Sequence, residues 1–352
     1  MYINEFIKDT YRIKDHEDRN GYLCLDMNEN PEGLPEEFVQ SVLKKVTPQF
    51  LASYPVKEPL IEKIARREGV GKENVSLTNG SDEGIRLVFE TFTHPGGRLL
   101  TVAPTFEMYQ VYGSMFGVKL DTVSFGEDFS IAEEEVLKNI HEDTDLVVLL
   151  NPNSPIGAEF SDEAVERIVE KAGKANAVVL IDEAYYPFGV ESRIDFCRAH
   201  PHVIVLRTFS KLCSMAALRV GYMVGGRECI HLIENAQSTY NVNAVGILFA
   251  RELLEREDIL NTLKENIDQG RDYLVQKLSG QGYTFYGSKG NYLLIKPFRA
   301  PEEICRELRE NKILIKTYRK GLLKDWLRVT LGSKEIMRQF WEAFYKAEGC
   351  QA

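Results

Sequence analysis

The chain has 352 residues, of which 44% are apolar and 27% are charged, and its formal net charge is −10. This length and composition are typical of a globular protein with a large core and about two domains. The acidic balance argues against a general nucleic-acid binder, because no basic excess is available to neutralise phosphates. No apolar run approaches the length of a membrane span.

The six cysteines are scattered and form no Cys-x-x-Cys pair. This pattern is typical of reduced thiols and not of a disulfide framework or a zinc site. Residues 1–6 contain no basic segment followed by an apolar one, so the sequence predicts no signal peptide. We therefore expect a cytoplasmic protein with no metal site and with neither a nucleic acid nor a membrane as its partner.

In chain order, residues 1–30 mix charged and aromatic side chains without periodicity, and we interpret them as an arm that lies on the rest of the chain. Helices are predicted at 35–45 and from residue 59 to about 68, where Gly69 ends the second one. Beyond this point short apolar runs alternate with helical patterns. The predicted strands are 75–78, 98–103, 118–125, 146–150, 177–181, 202–206 and 220–224.

Apolar strands that alternate with helices predict a mainly parallel sheet covered on both faces. The fold class is therefore α/β, with a seven-stranded sheet between residues 75 and 225. After residue 226, helical patterns to about 278 and shorter strands at 292–295, 313–315 and 326–331 predict a smaller α+β domain. The predicted division is an arm at 1–30, a large domain at 31–240 and a small domain at 241–352.

Lys211 follows a buried strand and the hydroxyl-rich turn Thr208-Phe209-Ser210. Its ammonium group is unstable when unpaired in a core, and the carboxyl ends of strands in an open α/β sheet are where ligands bind. Asp182 and Tyr185 follow the preceding strand, so all three side chains can converge on one crevice. Taken singly, Asp182 is equally well explained as a turn cap and Tyr185 as a core aromatic.

Together these residue types suit an aldehyde cofactor of the pyridoxal phosphate (PLP) kind. A lysine amine forms the Schiff base, an acid keeps the pyridine nitrogen protonated, and a phenol bonds the phenolate oxygen of the ring. Our central hypothesis is that Lys211 carries this cofactor covalently.

The cofactor phosphate needs its own cradle. The segment Gly80-Ser81-Asp82 opens a helix after a strand, where free backbone N–H groups bind anions. Ser210 and Arg219 add a hydroxyl and a guanidinium fork that suit phosphate oxygens. Alternatively the turn is an ordinary helix cap and Arg219 is a surface residue. Phe106 is placed either to stack on the cofactor ring or to fill the core.

A series of short motifs resembles the fold-type-I PLP-dependent aminotransferases, specifically the histidinol-phosphate aminotransferase-like branch. The resemblance extends from about residue 25 to residue 331. The motifs that carry it are Leu25-Asp26-Met27-Asn28-Glu29-Asn30-Pro31, Tyr54-Pro55, Asn79-Gly80-Ser81-Asp82-Glu83, Thr105-Phe106-Glu107-Met108-Tyr109, Asn151-Pro152-Asn153-Ser154-Pro155-Ile156-Gly157, Asp182-Glu183-Ala184-Tyr185, Ser210-Lys211 and Leu218-Arg219-Val220-Gly221-Tyr222.

The resemblance implies a role for each motif residue. Lys211 would form the Schiff base and move a proton between the substrate Cα and the cofactor C4′. Asp182 would pair with the pyridinium nitrogen, and Tyr185 would contact the phenolate oxygen. Phe106 takes the place of a ring-stacking tyrosine. The implied phosphate group comprises Gly80, Ser81, Asp82, Thr208, Ser210 and Arg219, with Tyr54 supplied by the other subunit of a homodimer.

On the substrate side, the resemblance implies that Arg328 clamps a carboxylate or equivalent group, and that Asn28 and Lys316 also contact the substrate. Ser154 departs from the family pattern, because the family has an asparagine there that bonds the phenolate oxygen. Either the shorter serine acts at reduced reach, for example through water, or Asn153 serves in its place.

Lys316 is a second departure, because the branch usually has an arginine there for the substrate phosphate, whereas a lysine binds phosphate as a point charge. Lys316 belongs to a basic cluster with Lys312, Arg319 and Lys320, in which Arg319 and Lys320 either help to receive an anionic substrate tail or form part of a solvated loop.

The resemblance therefore predicts transfer of an amino group between an amino acid or histidinol phosphate-like amine and a 2-oxo acid such as 2-oxoglutarate. The alternatives are an aromatic amino acid aminotransferase and a decarboxylase of a phosphorylated amino acid such as threonine phosphate. A non-catalytic regulator on this fold is disfavoured by the presence of both Lys211 and Asp182.

Overall fold

A computed structural model describes residues 1, 3–8, 10, 18–287 and 289–350. Within the predicted arm, residues 2, 9 and 11–17 lie outside the described residues. The helices are α1 (Glu5–Lys8), α2 (Glu36–Leu43), α3 (Pro48–Ala52), α4 (Glu58–Glu68), α5 (Gly80–Phe92), α6 (Met108–Phe116), α7 (Glu133–Lys138), α8 (Asp162–Lys174), α9 (Ile194–Ala199), α10 (Arg227–Ala236), α11 (Ala244–Leu253), α12 (Glu257–Gly280), α13 (Pro301–Glu310) and α14 (Lys334–Ala347). The strands are β1 (Leu23–Cys24), β2 (Val75–Thr78), β3 (Arg98–Ala103), β4 (Lys119–Ser124), β5 (Thr144–Leu150), β6 (Val178–Asp182), β7 (Val203–Thr208), β8 (Gly221–Gly225), β9 (Thr284–Tyr286), β10 (Tyr292–Lys296), β11 (Ile313–Leu314), β12 (Lys316–Thr317) and β13 (Leu327–Thr330).

The large sheet has seven strands in the order β2-β8-β7-β6-β5-β3-β4, which confirms the predicted strand count and α/β class. Its pairs are parallel except those of β8, which runs antiparallel to both β2 and β7. The central strands β5, β6 and β7 are buried along nearly their whole length because helices cover both faces. Their continuous apolar runs are the reason that the sequence alone located them.

Strand register places the candidate site at one edge of this sheet. Leu150, the last residue of β5, lies opposite Asp182 at the end of β6, and Asp182 lies opposite Leu206 near the end of β7. The segments that leave these three neighbouring strands carry Ser154, Tyr185 and Lys211. Parallel strands therefore bring together residues that are far apart in the sequence.

The second sheet is antiparallel, with the strand order β12-β13-β10-β9. The predicted strand at 313–315 is wrong as a single element. Residues 313–314 form β11, which pairs in parallel with β1, whereas Lys316 and Thr317 form β12 and pair with β13. Residues 23–24 are thereby paired with the segment that leads directly into β12 of the second sheet. In that sheet Lys316 lies opposite Arg328.

Several short elements escaped prediction, namely α1, β1, α3, α9 and β9, each with at most six residues. Such lengths give too little periodicity for a helix or strand to be recognised. Two ends of longer helices follow the capping residues seen in the sequence. Ser161 accepts a hydrogen bond from the Ala164 amide at the start of α8, and Gly69 adopts the left-handed conformation after α4. Across the described ranges, we find no helix long and apolar enough to cross a membrane.

Candidate active site

Lys211 lies on the loop after β7 and faces a cavity of about 340 Å³. Its Nζ donates a hydrogen bond of 2.9 Å to the carbonyl oxygen of Met27 and lies 5.6 Å from the centre of the Tyr185 ring. Met27 provides a neutral partner, so this contact supplies no counter-charge for the amine. The residues that line the cavity are Asp26, Met27, Asn28, Thr105, Phe106, Glu107, Ser154, Pro155, Tyr185, Lys211, Lys316, Tyr318 and Arg328.

Asp182 lies deeper than these residues, and only 2% of its surface is exposed. Its Oδ2 accepts a hydrogen bond from the Tyr109 hydroxyl at 2.8 Å, and its Oδ1 accepts one from the Ala184 amide at 3.0 Å. Burial raises the pKa of this carboxyl to about 6, although both hydrogen bonds act in the opposite direction. Both donors are neutral, so the carboxylate is suited to a cationic partner such as a pyridinium nitrogen.

We expect Asp182→Asn to stabilise the cofactor-free protein at neutral pH by up to about 3 kcal/mol, since each pKa unit corresponds to about 1.4 kcal/mol. The folded pKa of about 6 lies above the ordinary value of 3.8, so ionisation weakens the folded state. The loss of folding free energy caused by ionisation of Asp182 is absent below about pH 4 and reaches its full size above about pH 6. Asparagine retains both contacts, because its oxygen can accept from Ala184 and its amide can donate to the Tyr109 hydroxyl.

Denaturant unfolding of both cofactor-free proteins at about pH 4 and pH 8 measures this effect. The stabilisation should appear only at the higher pH. An equal difference in unfolding free energy at both values would show that the carboxylate charge is not its cause.

Tyr185 is the second buried group, and its hydroxyl accepts a hydrogen bond of 2.9 Å from Nδ2 of Asn28. Burial acts to raise its pKa, but the positive charges of Lys211 and Arg328 outweigh burial, together with hydrogen bonds from Asn28 and Ser154. The pKa of the phenol is therefore below its ordinary value of 10.0. A more acidic phenol is a stronger hydrogen-bond donor to an anionic oxygen.

The structure places the two candidates for the family asparagine differently. Nδ2 of Asn153 donates to Thr105 Oγ1 at 3.3 Å, so this amide already has another partner. Ser154 is buried at the cavity, where its Oγ lies 3.5 Å from Arg328 Nη1. Of the two alternatives, the geometry favours Ser154, and the Asn28 amide is a third group that sequence reasoning did not place there.

The expected phosphate cradle is assembled at the start of α5. Asn79 precedes this helix without a side-chain cap, which leaves the N–H groups of the first turn available. A Cβ atom at Gly80 would lie 2.5 Å from Nη2 of Arg219, so only glycine allows the guanidinium this close to the helix start. Arg219 Nη1 lies 3.4 Å from Ser210 Oγ, which in turn accepts from Thr208 Oγ1 at 2.9 Å.

Ser81 and Asp82 continue this first turn, and Oδ1 of Asp82 is buried without a partner among the described residues. Amide N–H groups, hydroxyls and a guanidinium form a donor set that suits a phosphate. Together with the buried carboxylate of Asp182, this set fits the cofactor that the sequence resemblance implies.

Two aromatic residues of the expected site are exposed. Phe106 lines the cavity, is 41% exposed and contacts Tyr109 edge to face at 5.9 Å between ring centres. Tyr54 is 75% exposed and stacks on Tyr240 at 4.2 Å, and it lines a different cavity near α3 and α11. Within one chain the structure therefore does not bring Tyr54 to Lys211.

The substrate side of the cavity carries two cations on neighbouring strands. Lys316 and Arg328 are paired residues of β12 and β13, and both line the cavity. Arg328 Nη2 donates to the Asp26 carbonyl oxygen at 2.6 Å. Among the described residues, Arg328 Nε and the Tyr318 hydroxyl are buried without a hydrogen-bond partner. These groups leave donors available for an anionic ligand.

Sequence reasoning missed Tyr109, Tyr318 and Glu107 as site residues. The sequence shows Tyr109 only as an aromatic residue in a predicted helix. The hydrogen bond from its hydroxyl to Asp182 is seen in the folded structure. Tyr318 and Glu107 lie in loops that reach the cavity from different parts of the chain. Of the basic cluster, Lys316 lines the cavity, whereas Lys312, Arg319 and Lys320 are exposed and are not among its lining residues, which favours the solvated-loop alternative for these three.

Comparison with known proteins agrees with this geometry. The aminotransferase class I and II family matches residues 21–344. A histidinol-phosphate aminotransferase of Clostridium kluyveri is 31% identical over 315 residues, covering 88% of this chain and 89% of its own. One of Thermotoga maritima is 32% identical over 317 residues, with the same two coverages.

Among solved structures, the histidinol-phosphate aminotransferase of Sinorhizobium meliloti in complex with PLP superposes with a TM-score of 0.83. At 20% identity, with 93% of this chain and 90% of that chain covered, it shows the same fold. The family match over most of the chain and the two sequence relatives confirm the resemblance seen in the motifs. The chain is a member of the aminotransferase class I and II family of PLP-dependent enzymes.

Proposed function

We propose that this aminotransferase takes its amino group from a phosphorylated amine of the histidinol phosphate type and passes it to a 2-oxo acid such as 2-oxoglutarate. The observation that carries the proposal is the pair Lys316 and Arg328, which line the same cavity as Lys211 from paired strand positions. Two adjacent cations suit a dianionic phosphate better than a single carboxylate. The buried Tyr318 hydroxyl adds a donor beside them.

Each of the site residues of this chain would have a separate role in the reaction. When bound, PLP supplies an electron sink for the negative charge that develops at the substrate Cα. Asp182 would keep a proton on the pyridine nitrogen, and Nζ of Lys211 would hold and move the proton of the substrate Cα. Tyr185 would donate to the phenolate oxygen.

The phosphate of the cofactor would be held by the first turn of α5 with Thr208, Ser210 and Arg219. Phe106 would cover the ring from the open side of the cavity. Asn28 also lines this cavity.

A panel of amino donors tests the proposed substrate. PLP-loaded protein is mixed with histidinol phosphate, histidinol, phenylalanine, glutamate or threonine phosphate, and the visible cofactor absorption is followed over one turnover. Histidinol phosphate should convert the cofactor to its pyridoxamine form fastest, and 2-oxoglutarate should restore it. Faster conversion by phenylalanine would overturn the substrate, and release of carbon dioxide from threonine phosphate would favour the decarboxylase.

We also propose a homodimer in which Tyr54 reaches the partner's cofactor phosphate. Leu51, Tyr54, Val56 and Tyr240 form an exposed apolar patch, with exposures of 64%, 75%, 67% and 50%. Clustered exposed apolar side chains of this size mark interaction surfaces. Light scattering should give twice the chain mass, and mixing inactive Tyr54→Ala and Lys211→Ala proteins should restore activity. Monomers, or mixtures that stay inactive, would contradict this arrangement.

The division into an arm at 1–30, a large domain at 31–240 and a small domain at 241–352 stays part of this proposal. The pairing of β1 with β11, which lies within residues 241–352, supports an arm that joins the small domain.

A further inference from the structure

The Asn28 side chain occupies a buried position between the seven-stranded and the four-stranded sheets. Only 1% of its surface is exposed, and its Nδ2 lies 2.9 Å from the Tyr185 hydroxyl. Its backbone N donates to Thr330 Oγ1 at 3.0 Å, and its carbonyl oxygen accepts from Asn291 Nδ2 at 3.0 Å. The residue is thus fixed to the smaller sheet while its amide contacts the edge of the larger one.

The orientation of the amide follows from its partner Thr330, which is fully buried. Thr330 Oγ1 already accepts the Asn28 backbone N–H, and its own proton is donated to Asn28 Oδ1 at 3.3 Å. Turning the amide over would face its NH₂ group toward Thr330 and remove the acceptor of that buried hydroxyl proton. The oxygen therefore faces Thr330, and the NH₂ group faces Tyr185.

This orientation decides what the tyrosine does with its own proton. An amide NH₂ group is a donor only, so the Tyr185 oxygen must accept from it. The phenolic proton is then directed away from Asn28, toward the cavity that Lys211 lines. A hydroxyl that accepts one hydrogen bond also becomes a better donor in the next.

We propose that Asn28 is a positioning residue that sets the Tyr185 hydroxyl as a donor toward the bound cofactor. In this chain, where Ser154 stands at the position of the family asparagine, the Asn28 amide is a further donor to the Tyr185 hydroxyl. It acts through Tyr185 and does not itself contact the reacting atoms. The inference requires bound PLP, which the family provides, and does not depend on the identity of the amino donor.

The test is the pH titration of the visible absorption of PLP-loaded protein without any donor. Asn28→Ala should shift the midpoint upward by about one pH unit, since a weakened hydrogen bond to the anionic ring oxygen favours the protonated chromophore. Asn28→Asp should shift it further, because the new carboxylate would draw the Tyr185 proton to itself. Thr330→Val should also shift the midpoint upward, because it removes the hydroxyl that fixes the orientation of the Asn28 amide. Thr330→Ser retains a hydroxyl and should leave the midpoint at its original value.

Tyr185→Phe provides the matched background. If Asn28 acts through Tyr185, Asn28→Ala should cause no further shift when Tyr185 is already phenylalanine. An unchanged midpoint in Asn28→Ala, or an equal shift in both backgrounds, would overturn the proposal. Should Asn28→Ala fail to fold, as judged by thermal unfolding of the cofactor-free protein, Thr330→Val decides the question by the same criteria.

Discussion

Lys211→Ala is expected to abolish the visible absorption of bound PLP and to lower turnover by about 10⁴-fold, the upper range for loss of a general acid–base group. The amine faces the cavity and donates to the Met27 carbonyl oxygen, and among the residues that the structure describes no carboxylate forms an ion pair with it. Its removal takes away both the covalent attachment of the cofactor and the base that moves the substrate proton.

Lys324→Ala is the matched control, because Lys324 is exposed and does not line the cavity. It should retain the absorption and the turnover of the unmodified protein. A Lys211→Ala protein that keeps the visible absorption would show that another amine holds the cofactor.

The second large effect is expected at Lys316. Lys316→Met should lower kcat/KM for histidinol phosphate by about 10- to 100-fold, because a hydrogen bond to a charged group contributes about 1.5–3 kcal/mol. For histidinol, which lacks the phosphate, the change should stay below about threefold, since no charge is present for the lysine to bind. Steady-state kinetics with both donors measure the difference.

Lys320→Met serves as the control, because Lys320 is exposed and is not a lining residue of the cavity. It should leave both donors unaffected. Arg328→Met should reduce activity with both donors, since Arg328 also holds the Asp26 carbonyl oxygen at 2.6 Å and thereby shapes the cavity. Equal losses with both donors in Lys316→Met would contradict a phosphate role for this residue.

The sequence was sufficient for those parts of the fold that depend on local pattern. The central strands β5, β6 and β7 are buried apolar runs, and the alternation of strands with helices between residues 75 and 225 predicted a mainly parallel sheet. The same pattern placed Lys211, Asp182 and Tyr185 at strand ends, and a parallel sheet then brings them to one edge. The change of partner between β11 and β12 has no local signal, because pairing depends on which strands lie nearby in the fold.

Contacts between segments that are far apart in the chain could not be predicted from the sequence either. The Tyr109 hydroxyl bonds Asp182 across 73 positions, and the Asn28 amide bonds Tyr185 across 157. Tyrosine is not unusual in a helix and asparagine is not unusual in a turn, so neither residue type by itself indicates a role in the site. The sequence shows Ser154 in place of the family asparagine, but it does not show that the seven-stranded and four-stranded sheets bring the Asn28 amide to Tyr185.

The covalent attachment of PLP to Lys211 is the central claim, and chemical trapping tests it most directly. PLP-loaded protein is reduced with borohydride, which makes the linkage permanent, then digested and mapped by mass spectrometry. We predict that the added cofactor mass is found on the peptide that contains Lys211. Its appearance on Lys316, which lines the same cavity, or the absence of any labelled lysine, would contradict the account.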